Sequence, residues 1–270
     1  MADSKPKKVT TNTFAQMKQD GRKVSMLTAY DYTMAQILDA GGVDAILVGD
    51  SASNVMAGYS TTLPITVDQM IYHGAAVVRA VQHAFVVIDM PFGSYQTGVR
   101  DAVASAVKIM KETGADAVKI EGGCEYADAI KAIINAGIPV VGHLGLTPQS
   151  IHKFGGYALR ANDDKEAAKL ISDARLLDEI GCFAIVLEKI PSALASKVAH
   201  EVNAVVIGIG AGADVDGQVL VGQDMLGMST MFKPKFVRKY ANLFDVISSA
   251  VAAYDKDVKN GDFPNADEQY

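Results

Sequence analysis

The amino-acid sequence predicts an α/β fold, namely a (β/α)8 TIM barrel with an extra N-terminal helix. Three observations support this: short, β-branched apolar runs recur along the chain, segments with helical spacing separate them, and glycines stand at the junctions. Apolar runs without polar alternation are typical of strands that are buried on both faces of a parallel sheet. The 270 residues fit one such barrel, which takes about 250. A doubly wound parallel sheet is the alternative architecture.

The predicted strands follow one another along the chain. The first covers residues 24–29, the seventh residues 205–209 and a short eighth residues 219–221. The five strands between them end in titratable residues, which are Asp50, Asp89, Glu121, His143 and Glu188. In a parallel barrel the carboxyl ends of the strands meet at one mouth, where the chemistry of such proteins takes place. The pattern therefore predicts an enzyme whose polar groups gather at that mouth.

The segments between the strands carry helix signals. Thr66 and Gln69 form a capping-box pattern at the start of one helix. Four helices are predicted to end at glycines, which adopt the left-handed cap conformation without steric cost: Gly42, Gly114, Gly137 and Gly181. Residues 13–19 are expected to form the extra helix, which would close the bottom of the barrel. The eighth helix is expected at residues 235–254, with five residues turned inward: Phe236, Tyr240, Leu243, Ile247 and Val251.

We expect a disordered tail at residues 1–12, a single catalytic barrel at residues 13–264 and a C-terminal tail at residues 265–270. Two connections that leave the predicted mouth are longer than the others, residues 51–64 and residues 145–162. Long strand-to-helix connections at the mouth are candidate lids. Their alternative is an ordinary surface loop.

Composition excludes several classes of function. The formal charge of −6 offers no basic surface for nucleic acid. No run approaches the ~18 apolar residues of a membrane span, so we expect no membrane partner. The two cysteines belong to no Cys-x-x-Cys pair, which argues against structural zinc and against a disulfide framework. We therefore expect a reducing, cytoplasmic location.

Three carboxylates, Asp50, Asp89 and Glu121, end the second, third and fourth predicted strands. Like charges on neighbouring strands repel one another unless a cation neutralises them. Ligands that are all oxygen favour a hard ion, and Mg²⁺ is the first choice. The alternative is that each carboxylate only caps the helix that follows it.

Three further residues are candidates for substrate chemistry. Lys119 lies two residues before Glu121, so both side chains face the barrel interior, where a lysine needs an anionic partner. That partner is Glu121 or a substrate carboxylate, and a Schiff-base role is the rival. His143 is either a structural histidine or a catalytic one. Glu188 follows three aliphatic residues and lies across the barrel from the metal candidates, which suits a general base; its alternative is a surface ion pair with Lys189.

Several stretches resemble the ketopantoate hydroxymethyltransferase family, over about residues 13–264. The two most specific are Gly-His-Leu-Gly-Leu-Thr-Pro-Gln at 142–149 and Asp-Gly-Gln-Val-Leu-Val at 216–221. Shorter matches are Thr-Ala-Tyr-Asp at 28–31, Val-Gly-Asp-Ser at 48–51, Asp-Met-Pro-Phe at 89–92, Val-Lys-Ile-Glu-Gly at 118–122, Leu-Glu at 187–188 and the glycine-rich 207–212. The glycine-rich stretch lacks dinucleotide-binding spacing. A tight turn against a ligand is the better interpretation.

This resemblance implies a barrel of the phosphoenolpyruvate/pyruvate superfamily that assembles as a homo-oligomer, typically a decamer. It implies Mg²⁺ held by Asp50 and Asp89, with Glu121 completing the site directly or through water. Glu188 would be the catalytic proton acceptor. The residues implied to bind the oxo-acid substrate are Asp50, Ser51, Asp89, Lys119 and His143, where His143 either relays a proton or orients the substrate.

The implied reaction moves a hydroxymethyl group from 5,10-methylenetetrahydrofolate to 3-methyl-2-oxobutanoate. The product is 2-dehydropantoate (ketopantoate), in pantothenate and coenzyme A biosynthesis. An alternative is a Mg²⁺-dependent 2-oxo acid lyase or mutase of the same superfamily. A non-enzymatic alternative is a sensor barrel that binds Mg²⁺ and an oxo acid.

Overall fold

The computed structural model describes residues 7–229 and 234–270. The chain divides into two compact units, residues 1–220 and residues 221–270. The first six residues of the predicted tail lie outside the described residues. The division into residues 1–12, 13–264 and 265–270 stays a prediction.

The first unit contains a closed barrel of parallel strands in the order β1 to β8. This confirms the predicted fold class. The strands are β1 (Val24–Thr28), β2 (Ala45–Val48), β3 (Phe85–Asp89), β4 (Ala117–Glu121), β5 (Val140–Gly145), β6 (Ala184–Glu188), β7 (Val205–Ile209) and β8 (Gly217–Leu220). All residues of β2, β3 and β4 are buried, as their unbroken apolar runs predict.

Helices precede the barrel and connect its strands. They are α1 (Thr11–Gln19), α2 (Tyr32–Ala40), α3 (Ala52–Val55), α4 (Val67–Ala80), α5 (Val99–Thr113), α6 (Ala127–Asn135), α7 (Ile151–Phe154), α8 (Asp164–Glu179) and α9 (Ser192–Glu201). Short 3₁₀ turns cover Cys124–Tyr126 and Pro148–Ser150. The predicted capping box of α4 is present: the Thr66 side chain accepts from the backbone N–H of Gln69, and the Gln69 side chain accepts from the backbone N–H of Thr66. Gly114 ends α5 at φ 72°.

The helix α1 closes the bottom of the barrel, as expected, although it begins at Thr11 rather than at residue 13. Its Phe14 is fully buried, and the ring centroid lies 5.3 Å from that of Phe85 and 5.5 Å from that of Phe183. Phe14 and Met17 join an apolar cluster with inward-facing residues of the strands. A second apolar cluster fills the space between the sheet and the surrounding helices. The interior is therefore packed from below, and polar groups remain at the opposite end.

The second unit contains α10 (Gly222–Met225), α11 (Leu243–Asn260) and a 3₁₀ turn at Ala266–Glu268. The prediction of a helix over residues 235–254 was wrong at both ends. The backbone N–H groups of Tyr240 and Leu243 donate to the carbonyls of Met225 and Leu226, which are distant in sequence. The described residues just before α11 are therefore not helical. None of the residues of α11 is buried. Of the five residues predicted to face inward, three are exposed: Tyr240, Ile247 and Val251.

No helix of the two described ranges is both long and apolar enough to cross a membrane.

Candidate active site

Strand register brings the predicted mouth residues together. Asp89 and Glu121 are the last residues of β3 and β4. Asp89 is paired with Lys119 across β3 and β4, and Glu121 is paired with His143 across β4 and β5. Glu188 ends β6. Parallel pairing therefore places these five side chains around one end of the barrel.

Asp50 and Ser51 lie just beyond β2, which ends at Val48 rather than at Asp50 as predicted. A Cβ atom on Gly49 would lie 2.6 Å from the Ser51 Oγ, so a larger residue there would displace the Ser51 hydroxyl. The turn points the Asp50 N–H at Asp89, whose Oδ2 accepts it at 3.0 Å. The Ser51 hydroxyl forms a hydrogen bond of 2.7 Å with the hydroxyl of Tyr30, which is fully buried.

Lys119 is the central cation of the site. Its Nζ lies 3.0 Å from Asp89 Oδ1 and 3.8 Å from Glu121 Oε1, and its side chain is 4% exposed. Burial lowers the pKa of Lys119, but the carboxylates of Asp89, Glu121 and Asp50 outweigh burial and raise it well above its usual range. The amine therefore stays protonated at neutral pH.

His143 lies between two carboxylates. Its Nδ1 is 3.2 Å from Glu121 Oε1, and its Nε2 is 3.4 Å from Glu188 Oε2. Burial and Lys119 lower the pKa of the imidazole, whereas Glu121 and Glu188 raise it, and the result is a pKa of about 9. A hydrogen bond of 3.1 Å from Lys119 to Nδ1 would require a neutral ring. We favour the cationic ring, because a carboxylate faces each of its nitrogens.

The carboxylates differ in their electrostatics. Burial, Glu121 and Asp89 raise the pKa of Asp50 well above its usual range. Burial also raises the pKa of Asp89, although Lys119 opposes it. The pKa of Glu121 is lowered, because His143, Lys119 and the backbone N–H of Gln149 together outweigh its burial. When all are ionised, Asp50, Asp89, Glu121 and Glu188 exceed the two cationic side chains by two charges, which a divalent cation would balance.

The donor atoms fit a hard cation. Asp89 Oδ1 and Glu121 Oε1 are buried and accept no hydrogen bond of good geometry from the described residues. Carboxylate oxygens are the ligands that Mg²⁺ prefers. Three ligand atoms within 4.8 Å of one another would form a compact metal site. Among the described residues one group meets this criterion, and it is not Asp50, Asp89 and Glu121. The three carboxylates therefore do not form a compact cluster in this structure.

That other group consists of Cys124, Glu125 and Asp173. The Lys169 ammonium already occupies it, with Nζ in contact with Asp173, 3.0 Å from Glu125 Oε1 and 3.6 Å from Cys124 Sγ. Asp173 also accepts the backbone N–H of Cys124 at 3.2 Å. Burial and Asp173 raise the pKa of the Cys124 thiol, which disfavours the thiolate form that binds metals. This cluster is therefore satisfied by lysine.

Sequence reasoning missed three buried polar residues of the site, Tyr30, Tyr95 and Gln149. The Gln149 Nε2 donates to Asp50 Oδ2 at 2.9 Å, and its backbone N–H donates to Glu121 Oε2 at 2.9 Å. Tyr95 donates to Gln149 Oε1 at 2.7 Å. Tyr30 and Gln149 stand in the two motifs at 28–31 and 142–149, but nothing in the sequence shows where a loop amide or a tyrosine hydroxyl points.

The alternative of a Glu188–Lys189 ion pair was wrong. Glu188 faces His143, whereas the Lys189 Nζ donates to the carbonyl of Tyr157. The Lys189 carbonyl accepts the N–H of Arg160 at 3.0 Å, so this residue anchors the connection of residues 145–162 beside Glu188. Lys189 has a left-handed backbone, with φ 49°. The lid role of residues 51–64 and 145–162 stays a prediction.

The family model and the relatives that match this chain all point to one family. A model of the family described as ketopantoate hydroxymethyltransferase matches residues 8–266. The chain is 65% identical to a 3-methyl-2-oxobutanoate hydroxymethyltransferase of Bacteroides fragilis, over 98% of this chain and 97% of that protein. It is 62% identical to the protein of the same name in Flavobacterium johnsoniae, over the same shares of the two chains.

Solved structures with the same fold are much less similar in sequence. A phosphonopyruvate hydrolase in complex with oxalate and Mg²⁺ is 11% identical, with a TM-score of 0.61 over 96% of this chain and 93% of that one. A 2,3-dimethylmalate lyase, a member of the PEP mutase/isocitrate lyase superfamily, is 14% identical, with a TM-score of 0.61 over 95% and 90%. These likenesses support the barrel fold alone.

The charge of His143 can be tested by NMR. In metal-free protein the imidazole should stay protonated at pH 7.5 and titrate near pH 9, above its ordinary value of 6.5. Because the folded pKa is the higher one, the stabilisation by this group is complete below about pH 6.5 and is lost as the pH rises through 9. The measurement is a ¹⁵N titration of the ring, with His143→Gln to assign the signal. A neutral ring at pH 7.5 would instead make Lys119 the donor to Nδ1.

Proposed function

The chain belongs to the ketopantoate hydroxymethyltransferase family and is a hydroxymethyltransferase, and we propose that it converts 3-methyl-2-oxobutanoate to 2-dehydropantoate. The one-carbon donor is 5,10-methylenetetrahydrofolate. The observation that carries this proposal is the set of titratable side chains at the mouth, where the protonated Lys119 lies among buried carboxylates and Glu188 lies beside His143. This set supports the removal of a proton next to a carbonyl group.

Glu188 takes the proton from C3 of the oxo acid. Its side chain is 17% exposed, whereas the side chains of Asp89 and Glu121 are 3–4% exposed, so a substrate at the mouth can reach it. His143 lies 3.4 Å away and, as a cation, attracts and orients the Glu188 carboxylate. A positioned base of this kind contributes about 10²–10⁴-fold to the rate.

Lys119 and Ser51 bind the substrate. The Lys119 ammonium offers a positive charge to the carboxylate of the oxo acid. The Ser51 hydroxyl is held in place by its hydrogen bond with Tyr30. A lysine whose pKa is raised by three carboxylates is a poor nucleophile, because an imine forms only from the free amine. The site therefore supports enolisation without a Schiff base.

Asp50 and Asp89 would hold Mg²⁺, and Glu121 would reach it through water. Glu121 is already engaged by the Gln149 N–H and lies beside Lys119 and His143, and the three carboxylates are too widely spaced for a compact triad. When bound, the ion would polarise the keto group and stabilise negative charge on its oxygen. Asp50 and Asp89 would also border the oxo acid when it binds.

The competing functions receive no separate support. A lyase or mutase of the same superfamily rests on structures that are 11–14% identical, against relatives at 62–65%. A sensor that only binds an oxo acid would have no use for a partly exposed carboxylate beside a histidine. A need for the folate donor separates the proposed transferase from both.

A homo-oligomer, with the decamer of the family as its expected size, is supported by helix α11. Its exposed apolar side chains repeat at intervals of three and four residues and so form one stripe: Phe244, Ile247, Val251, Tyr254 and Val258. Such a stripe is typical of a face that packs against another surface. We propose that a second copy of the chain covers it.

A cytoplasmic location is also proposed. Cys124 and Cys182 are both free thiols, which suits a reducing compartment. The formal charge of −6 supports the absence of a nucleic-acid partner.

The oligomer can be tested by sedimentation velocity. We expect the wild type to sediment as a species far larger than the 28.6 kDa chain. The double variant Ile247→Glu, Val251→Glu should give smaller species, because it places charges on the apolar stripe. Ser249→Glu on the opposite face of α11 is the matched control and should sediment like the wild type. An unchanged double variant would contradict the assignment of this face.

The metal proposal predicts that Asp50→Asn and Asp89→Asn each lose Mg²⁺ binding and turnover. Removal of a charged ligand weakens the site, while the asparagine keeps the size of the side chain and the fold. Calorimetric Mg²⁺ titration and circular dichroism measure the two effects. Mn²⁺ should replace Mg²⁺ at least in part, because both accept oxygen ligands. Full wild-type activity in excess EDTA would disprove the proposal.

The base is tested without folate, by exchange of the C3 proton of 3-methyl-2-oxobutanoate in heavy water. Glu188→Gln keeps the shape of the side chain but cannot accept a proton. Exchange and hydroxymethyl transfer should therefore fall together, by about 10²–10⁴-fold, while the oxo acid still binds. Exchange at the wild-type rate would exclude Glu188 as the base and leave His143 as the next candidate.

A further inference from the structure

Gln149 hydrogen-bonds to two carboxylates of the mouth, one beyond β2 and one at the end of β4. It lies in the 3₁₀ turn after β5 and is 6% exposed. Its side-chain Nε2 donates to Asp50 Oδ2 at 2.9 Å, beyond β2. Its backbone N–H donates to Glu121 Oε2 at 2.9 Å, at the end of β4. A single turn thus contacts both carboxylates.

The orientation of the Gln149 amide is determined by its surroundings. The Nε2 also donates to the carbonyl of Met90 at 2.9 Å, and the Oε1 accepts from the Tyr95 hydroxyl at 2.7 Å and from Gln96 Nε2 at 3.0 Å. A flipped amide would place its oxygen against the carbonyl oxygen of Met90, which cannot donate, and its NH2 group against the Nε2 donor of Gln96. The amide therefore always presents a donor to Asp50.

The Gln149 amide differs from the Lys119 ammonium as a donor to a candidate metal ligand, because it carries no charge. Lys119 also contacts a metal candidate, Asp89, but as a full cation that competes electrostatically with a divalent ion. The amide of Gln149 is neutral, so it stabilises the ionised form of Asp50 and leaves the charge of that carboxylate available to a cation. It engages only one of the two carboxylate oxygens. Outer-shell donors of this kind orient metal ligands in many sites.

We propose that Gln149 is a positioning residue, which turns Asp50 so that its second oxygen faces the cation, and that Tyr95 holds Gln149 in place. This inference rests on the proposed role of Asp50 as a metal ligand. It assigns to the turn after β5 a function in metal affinity, in addition to its structural role.

The test is a Mn²⁺ titration of the full-length protein, followed by electron paramagnetic resonance without substrate or folate. Gln149→Met keeps the volume of the side chain and removes the donor. We expect it to bind Mn²⁺ about 10–100-fold more weakly than the wild type. Tyr95→Phe should shift affinity in the same direction by less, because Gln149 then lacks one of the two donors to its Oε1. Gln218→Met is the matched control, since the Gln218 side chain is exposed and donates to the carbonyl of Gly212, and it should bind Mn²⁺ as the wild type does.

A second readout separates positioning from mere stability. Turnover of Gln149→Met should recover towards the wild-type kcat at saturating Mg²⁺, with a raised Mg²⁺ requirement that a merely structural role would not produce. A loss of stability with wild-type Mn²⁺ affinity would overturn the inference. Should Gln149→Met fail to fold, wild-type affinity in Tyr95→Phe would overturn it equally.

Asp50→Asn, titrated in parallel, separates this inference from the proposed function. If Asp50→Asn binds Mn²⁺ as tightly as the wild type, the metal assignment itself is wrong and the inference falls with it. If Asp50→Asn loses binding while Gln149→Met and Tyr95→Phe retain it, the metal assignment stands and only the role of Gln149 is refuted.

Discussion

The site depends on the burial of three carboxylates around one lysine. Carboxylates removed from water are costly unless charges or hydrogen bonds compensate them. Lys119 supplies that compensation for Asp89 and Glu121, and the same carboxylates keep the lysine charged although it is buried. His143 extends this arrangement to Glu188. The remaining excess of negative charge is the basis of the proposed cation site.

Strand register makes this arrangement possible. Asp89 pairs with Lys119 and Glu121 with His143, so the charged residues form one layer above the apolar interior. A slip of one residue would turn Lys119 into the apolar layer between sheet and helices, where no carboxylate could neutralise it. Below this layer Phe14 and the inward-facing residues pack tightly and exclude water. The apolar packing therefore specifies the register, and the register specifies the site.

Much of this could be predicted from sequence, because strands buried on both faces produce unbroken apolar runs and their polar ends are visible. Asp89, Glu121 and Glu188 end their strands as expected. The start of α11 was not predictable, since the apolar spacing continues through a segment whose backbone is bonded elsewhere. Gln149 and Tyr95 were missed for a related reason. The direction of a loop side chain depends on partners far away in sequence, and Gln149 is 99 residues from Asp50.

The carboxylates of the mouth are chemically alike, yet their surroundings divide the work among them. Asp50, Asp89 and Glu121 are buried and bonded to several donors, so their oxygens are oriented and their negative charge is concentrated. Glu188 is more accessible and one of its oxygens faces the imidazole of His143, so the other can approach a substrate. Such a difference is what a proton abstraction requires, because the base must reach the substrate while the groups that stabilise charge stay fixed. On the side of Asp50, the hydrogen bonds from Gln149 keep the buried carboxylates fixed.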